Sequence, residues 1–153
     1  MTDIRLPLGG LKFSVRVAIL CVRGDQLLAN TADGLGFWFL PGGALSTDED
    51  VATCAAREWE EELGVPAGPL HLVGVLENFF GPSSKRQHEL GFYFRMEAPP
   101  ELPQTPFSVL DSPETTCEWV PLSELSARPV YPLAVADFLS AGPGEVRHRV
   151  ERN

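Results

Sequence analysis

Three glutamates, Glu58, Glu61 and Glu62, lie within one short stretch, PGGALSTDEDVATCAAREWEEELGV (41–65). At about 100° per residue they fall on one side of a helix, and like charges three or four apart cost a few tenths of a kcal/mol per pair. Two features can offset that repulsion. Arg57 precedes Glu61 by one turn and can brace the group from its flank, and a divalent cation held by two or three carboxylates would remove the repulsion outright. Gly42 and Gly43 allow the backbone to approach an ion or ligand with no side chain in the way, and Pro41 fixes the entry. Alone, REWEEE reads as a solvated helix face and PGG as an ordinary turn. Together they raise the case for a divalent cation held by the carboxylates beside a bare backbone.

The elements that must position these groups follow from pattern. Residues 49 to 63 predict the helix, with Ser46 and Glu49 as a capping box and Gly64 as the left-handed terminating residue. Ala52, Ala56, Trp59 and Leu63 form the stripe expected to pack on a sheet. Cys54 and Ala55 precede the glutamates by one turn, and their short side chains are expected to leave an open pocket. KFSVRVAILCV (12–22) alternates as a strand with one face buried and the other buried towards its end. RGDQLLANT (23–31) completes a hairpin through Gly24-Asp25, and FWFL (37–40) reads as a short strand. LHLVGVLENFF (70–80) and HELGFYFRME (88–97) predict a second, long-looped hairpin. Pro99 to Pro113, with five prolines, predicts a surface loop. TCEWV (116–120) predicts a closing strand, PLAVADFLS (132–140) a terminal helix and residues 144–153 a frayed tail. One α/β layered domain over 1–153 is expected, a mixed β-sheet with the acidic helix and a C-terminal helix.

From Gly43 to Val65 the fixed positions are Gly43, Glu49, Arg57-Glu58-Trp59, Glu61-Glu62 and Gly64-Val65. This run resembles the Nudix hydrolase signature G-x5-E-x7-R-E-U-x-E-E-x-G-U, where U is apolar. Trp59 departs softly, standing where an aliphatic residue is usual. The resemblance implies an α/β/α sandwich and a Mg²⁺-dependent pyrophosphohydrolase, with Mn²⁺ as an alternative ion. The substrate would be a nucleoside diphosphate linked to another moiety, of the nucleoside triphosphate or nucleotide sugar class. It implies Glu61 and Glu62 as main metal ligands, Glu58 as ligand or general base, the Gly42 carbonyl as a further ligand, and Arg57 as the group that orients Glu58. Glu49 is a structural charge at the helix start or has a direct role. Glu114 or Glu89 could supply the base or an extra ligand from outside the signature.

Substrate contacts are more open. Arg16, Lys85 and Arg86 could reach phosphates or be scattered surface cations, and Trp38, Phe79 and Phe80 could stack on a base or fill the core. His88 could touch substrate or serve as a hydrogen-bonded structural residue. The subfamily signals outside the signature are weak. Pro82 only loosely matches the proline of ADP-ribose cleavers, the tyrosine of the dinucleoside polyphosphate type is absent, and LLANTADGLGFWFL lacks the coenzyme A pattern.

Composition narrows the classes further. A net charge of −9 with 22% charged residues disfavours a duplex nucleic-acid binder and an anionic membrane surface. A small anionic substrate then needs a mediating cation. Cys21, Cys54 and Cys117 are far apart with no metal spacing and read as reduced core thiols. No signal-like start or membrane-length apolar run is present, so a cytoplasmic protein is expected. A homodimer is compatible with the resemblance. The rival reading is a non-catalytic, nucleotide-sensing or regulatory member of the same fold, against which stand the complete signature and the absence of a basic stripe.

Overall fold

The computed structural model describes residues 1–153. Its centre is β2 (Leu11–Arg23), and the alternation seen in sequence explains why. Val17, Ile19 and Cys21 point to one side of the sheet and Ala18, Leu20 and Val22 to the other, all essentially buried. A strand apolar on both faces needs cover on both. The first face packs under α1 (Val51–Leu63), through Cys54, Ala55, Trp59 and Leu63. The second packs under the short α2 (Val135–Leu139), through Val135 and Phe138.

The sheet has nine strands and is mixed. The remaining strands are β1 (Arg5–Leu8), β3 (Gln26–Ala32), β4 (Gly42–Ala44), β5 (His71–Phe80), β6 (Gln87–Glu97), β7 (Phe107–Val109), β8 (Ser112–Pro121) and β9 (Arg147–Arg152). The order is β7-β8-β3-β2-β6-β5-β9, with β1 and β4 also paired to β2. The β2–β6 and β5–β9 pairs are parallel and the others antiparallel. This is the Nudix-like α/β/α sandwich expected, and the β2–β3 and β5–β6 hairpins fall where the turn residues place them.

Several local expectations change. The stripe facing the sheet is rotated: Cys54 and Ala55 are fully buried beside Trp59, whereas Ala52 is exposed. Cys54 and Ala55 therefore fill the core instead of opening a pocket. FWFL forms no regular strand, only isolated bridges at Trp38 and Phe39. The proline-rich loop contains β7, and β8 begins at Ser112 and runs through Pro113. The terminal helix has only five residues, held behind Pro132.

The expected frayed tail is β9, a parallel edge strand on β5. Its pairing is by backbone, and its charged side chains find partners. Arg147 pairs with Asp137 at 2.8 Å, His148 with Glu77 at 2.7 Å, and the Arg152 guanidinium lies 4.1 Å from the Phe79 ring centroid. No helix is long and apolar enough to cross a membrane. All three cysteines are buried free thiols, and burial pushes each up to about 12, so none is a ready nucleophile.

Candidate active site

The acidic helix is fixed at both ends by local chemistry. Asp50 caps its start, accepting from the Thr53 N–H at 2.8 Å, and Gly64 ends it at φ 75° with its N–H on the Glu60 carbonyl. The expected capping box forms only in part. Glu49 Oε1 accepts from the Ser46 N–H at 3.2 Å, but the cap itself is Asp50.

The two Glu49 oxygens also receive Arg57, Nε at 2.7 Å and Nη2 at 3.0 Å. This bidentate pair is well shielded, with the Glu49 side chain 3% exposed, and the hydrogen bond from Arg57 lowers Glu49 to about 2. Arg57 Nη1 extends to Glu58 Oε1 at 3.1 Å and to Glu61 Oε1 at 3.2 Å. One guanidinium thus braces three carboxylates.

The other side of the group meets β4. A Cβ on Gly43 would lie 2.3 Å from the Glu58 carboxyl carbon, so only glycine leaves room for that side chain where it sits. The Gly42 N–H donates to Glu62 Oε1 at 3.4 Å. Burial raises Glu58 despite Arg57 and pushes Glu62 up to about 8 despite Gly42 and Arg16, while the charges of Glu58 and Asp111 push Glu62 the same way. Glu61 is the open member, with 51% of its side chain exposed.

Arg57 thus engages Glu58 and Glu61, and the Gly42 N–H engages Glu62. The donor chemistry fits a hard divalent cation. Glu58 and Glu62 are poorly stabilised as anions, and the backbone beside them carries no side chain.

The other predicted residues separate into those brought near and those not. Arg16, on β2, is felt by both Glu62 and Glu89 and lines a cavity of about 570 Å³ on the α2 face of the sheet. Glu89, on β6, lines the same cavity. Burial raises it against the charges of Arg16 and Lys12, and the Ser14 hydroxyl lies nearby. Glu114 is exposed on β8, not in a loop, and accepts from Ser112 Oγ at 2.9 Å. No hydrogen bond or ion pair joins it to the helix. The carboxylate from that region that acts on Glu62 is Asp111, next to Leu110, whose N–H donates to the Glu62 carbonyl at 2.9 Å.

Lys85 stands exposed in a single 3₁₀ turn, away from the cavity wall. Arg86 is occupied as a tie, its Nη1 donating to the carbonyls of Gly81 at 2.7 Å and Asn153 at 2.6 Å. Phe79 faces away from the cavity and stacks on His88 at 4.5 Å, with Phe13 edge-on to the same imidazole, so His88 is held between rings. The neighbour of opposite parity, Phe80, lines the cavity instead. Trp38 packs against the core with Arg128 over its ring. Sequence reading missed Asp111, Asn78, Tyr131 and Glu151. Only the parity of Phe80 and Asn78 along β5 could have pointed to the cavity face.

With the geometry in view, likeness to known proteins can be weighed. Residues 12–139 match the NUDIX domain family. Phosphatase NudJ of Escherichia coli K12 is 32% identical over 117 residues, covering 74% of this chain and 72% of its own. Two solved structures share the fold. The MutT protein of Bacillus halodurans has a TM-score of 0.70 and 20% identity, over 91% of this chain and 90% of that one. The MutT NUDIX hydrolase of Burkholderia pseudomallei has a TM-score of 0.64 and 23% identity, over 85% and 98%. A family match over most of the chain, which includes the helix whose glutamates meet Gly42 and Gly43, places this protein in the Nudix family as a Nudix hydrolase.

Proposed function

We propose that the protein is a Mg²⁺-dependent pyrophosphohydrolase, able to use Mn²⁺, that cleaves a nucleoside diphosphate linked to another moiety. The substrate falls in the nucleoside triphosphate or nucleotide sugar class. The observation that carries this reading is the pairing of half-buried Glu58 and Glu62 with the bare backbone of Gly43 and Gly42. When bound, the divalent ion supplies charge neutralisation of the diphosphate and a water of lowered pKa.

The chain's own groups do the rest. Glu61 and Glu62 would hold the ion, with Glu58 as a further ligand or as general base, and the Gly42 carbonyl as a further ligand. Arg57 positions Glu58 and Glu61 and is itself anchored by Glu49. Arg16 lines the cavity and its charge is felt by Glu62, which suits it to orient the phosphate next to the bound moiety. Glu89, among Arg16, Lys12 and Ser14, fits a role on the substrate side better than that of base. The name of the relative, a phosphatase, is consistent with hydrolysis of a phosphorylated substrate.

A phosphate-release screen over a nucleotide panel, with Mg²⁺ or chelator and with Glu61→Gln beside the parent, tests this. Metal-dependent hydrolysis that the variant loses is expected. A parent that binds nucleotides and hydrolyses none of them would make the protein a sensor.

A further inference from the structure

The edge strand β9 carries side chains that the proposed reaction does not use, and it lies beyond the residues that match the family, which end at 139. Alternate residues of a strand share a face, so Arg147 and Glu151 project from the same side of β9, about 13 Å apart at roughly 3.3 Å per residue. Each takes hold of one end of α2. Arg147 Nη1 donates to Asp137 Oδ1 at 2.8 Å and to Ser140 Oγ at 2.7 Å, where the helix stops. Glu151 Oε2 accepts from the Ala134 N–H at 2.7 Å, where the helix starts. Alanine offers no polar side chain at that position, so a carboxylate from a distant strand serves the backbone there.

The two ends differ in what lies beside them. Directly paired residues in a sheet share a face, so Glu151 stands in one row with Asn78 on β5, Glu89 on β6 and Ser14 on β2. Glu151 lines the cavity of about 570 Å³ together with Tyr131 and Pro132, which lead into Ala134, whereas Arg147, Asp137 and Ser140 do not line it. Tyr131 stands edge-on to Phe37 at 5.5 Å and Phe80 lines the same wall, an aromatic enclosure suited to a flat base. The segment from Tyr131 to Ala134 is held at one end by the Tyr131 N–H on the Trp38 carbonyl at 2.9 Å and at the other by Glu151. The end of β9 that carries Glu151 is itself fastened, by the Asn153 N–H on the Phe79 carbonyl at 2.8 Å and by Arg86 Nη1 on the Asn153 carbonyl at 2.6 Å.

We propose that Glu151 is a positioning residue for the substrate: from β9 it fixes the Tyr131–Ala134 wall of the cavity where that wall grips the base, and so sets how tightly the nucleotide binds. Arg147, at the other end of the same strand, secures the helix without touching that wall. The inference rests on the pyrophosphohydrolase reading for taking the cavity as the seat of the nucleoside.

The test is calorimetric binding of AMP, GMP, CMP and UMP in the presence of Mg²⁺, read beside thermal unfolding. Binding requires no hydrolysis. The parent is expected to bind at least one of these probes, and Glu151→Ala to weaken that binding by roughly tenfold. Glu151→Gln, which still offers an oxygen to the Ala134 N–H, should recover affinity to within about threefold of the parent. Glu151→Asp keeps the charge but is too short to reach Ala134, and should bind as weakly as the alanine variant. Arg147→Ala should lower the melting temperature and leave affinity within about twofold of the parent. Parent protein that binds none of the probes would overturn the inference, as would parent-like affinity in Glu151→Ala or Glu151→Asp. A Glu151→Gln variant as weak as alanine would overturn it by showing that the charge itself meets the ligand, and an equal loss in Arg147→Ala would overturn it by showing general loosening of α2. The expected pattern in a protein that hydrolyses no nucleotide would sink the proposed reaction and leave this inference standing.

Discussion

The two faces of the sheet hold their polar groups in opposite ways. On the α1 side three carboxylates come from little more than one turn of helix, and a single guanidinium ties two of them, Glu58 and Glu61, to Glu49 just before the helix with bonds of 2.7 to 3.2 Å. On the α2 side the cavity draws its polar groups from four neighbouring strands, and two of those groups have no partner. The first region is electrostatically braced before any ligand arrives. The second is left unsatisfied. Groups encoded in one stretch of sequence can be braced by a single side chain, whereas a cavity whose polar groups come from four strands depends on long-range pairing to bring them together.

If that contrast is right, the largest effect should come from the helix. Glu62→Gln is expected to lower turnover by roughly 10²–10⁴-fold in steady-state assays. Its melting temperature should hold or rise, because burial already disfavours the anion there. A variant that lost activity and stability together would show that the carboxylate is structural and break the comparison. Trp59→Ala supplies the converse. Trp59 is fully buried beneath the same helix, and its removal should cost about 3–5 kcal/mol in denaturant unfolding.

Arg57→Lys should weaken divalent-ion affinity by roughly 10–100-fold, since lysine cannot reproduce the fork on Glu49 while reaching Glu58 and Glu61. Gly43→Ala should push the Glu58 carboxylate off its position and reduce activity by about tenfold. The stability change should be smaller than for Trp59→Ala, because the displaced group is the end of a flexible side chain.

The smallest effect concerns acid. Arg57 holds the folded Glu49 at about 2, below its ordinary value of 4.5, so folded protein binds fewer protons than unfolded. Its stabilisation is complete above about pH 4.5 and is lost as pH falls through about 2. Glu49→Gln should therefore show a shallower loss of stability over that window in pH-dependent unfolding.

The same contrast explains what could be read in advance. The acidic helix, its terminating Gly64 and the alternation of β2 are short-range patterns, and the structure reproduces them. The helix differs from expectation in its cap, which is Asp50, and in its rotation, because Cys54 and Ala55 are small enough to suit either a pocket or a core. β9 was invisible because GEVRHRVERN has almost no apolar content; it is held by backbone pairing and ion pairs on an edge. Phe79 and Phe80 show the limit most clearly. Parity puts one of them in the cavity, but only the paired strands reveal which face the cavity occupies.

The central claim is that the glutamates of one helical turn, set against the bare backbone of Gly42 and Gly43, bind a divalent cation. Mn²⁺ titration followed by electron paramagnetic resonance, on the parent and on Glu62→Gln, tests it most directly. The account predicts saturable uptake by the parent and affinity at least tenfold weaker in the variant. Equal uptake by the two proteins, or none by the parent, would contradict it.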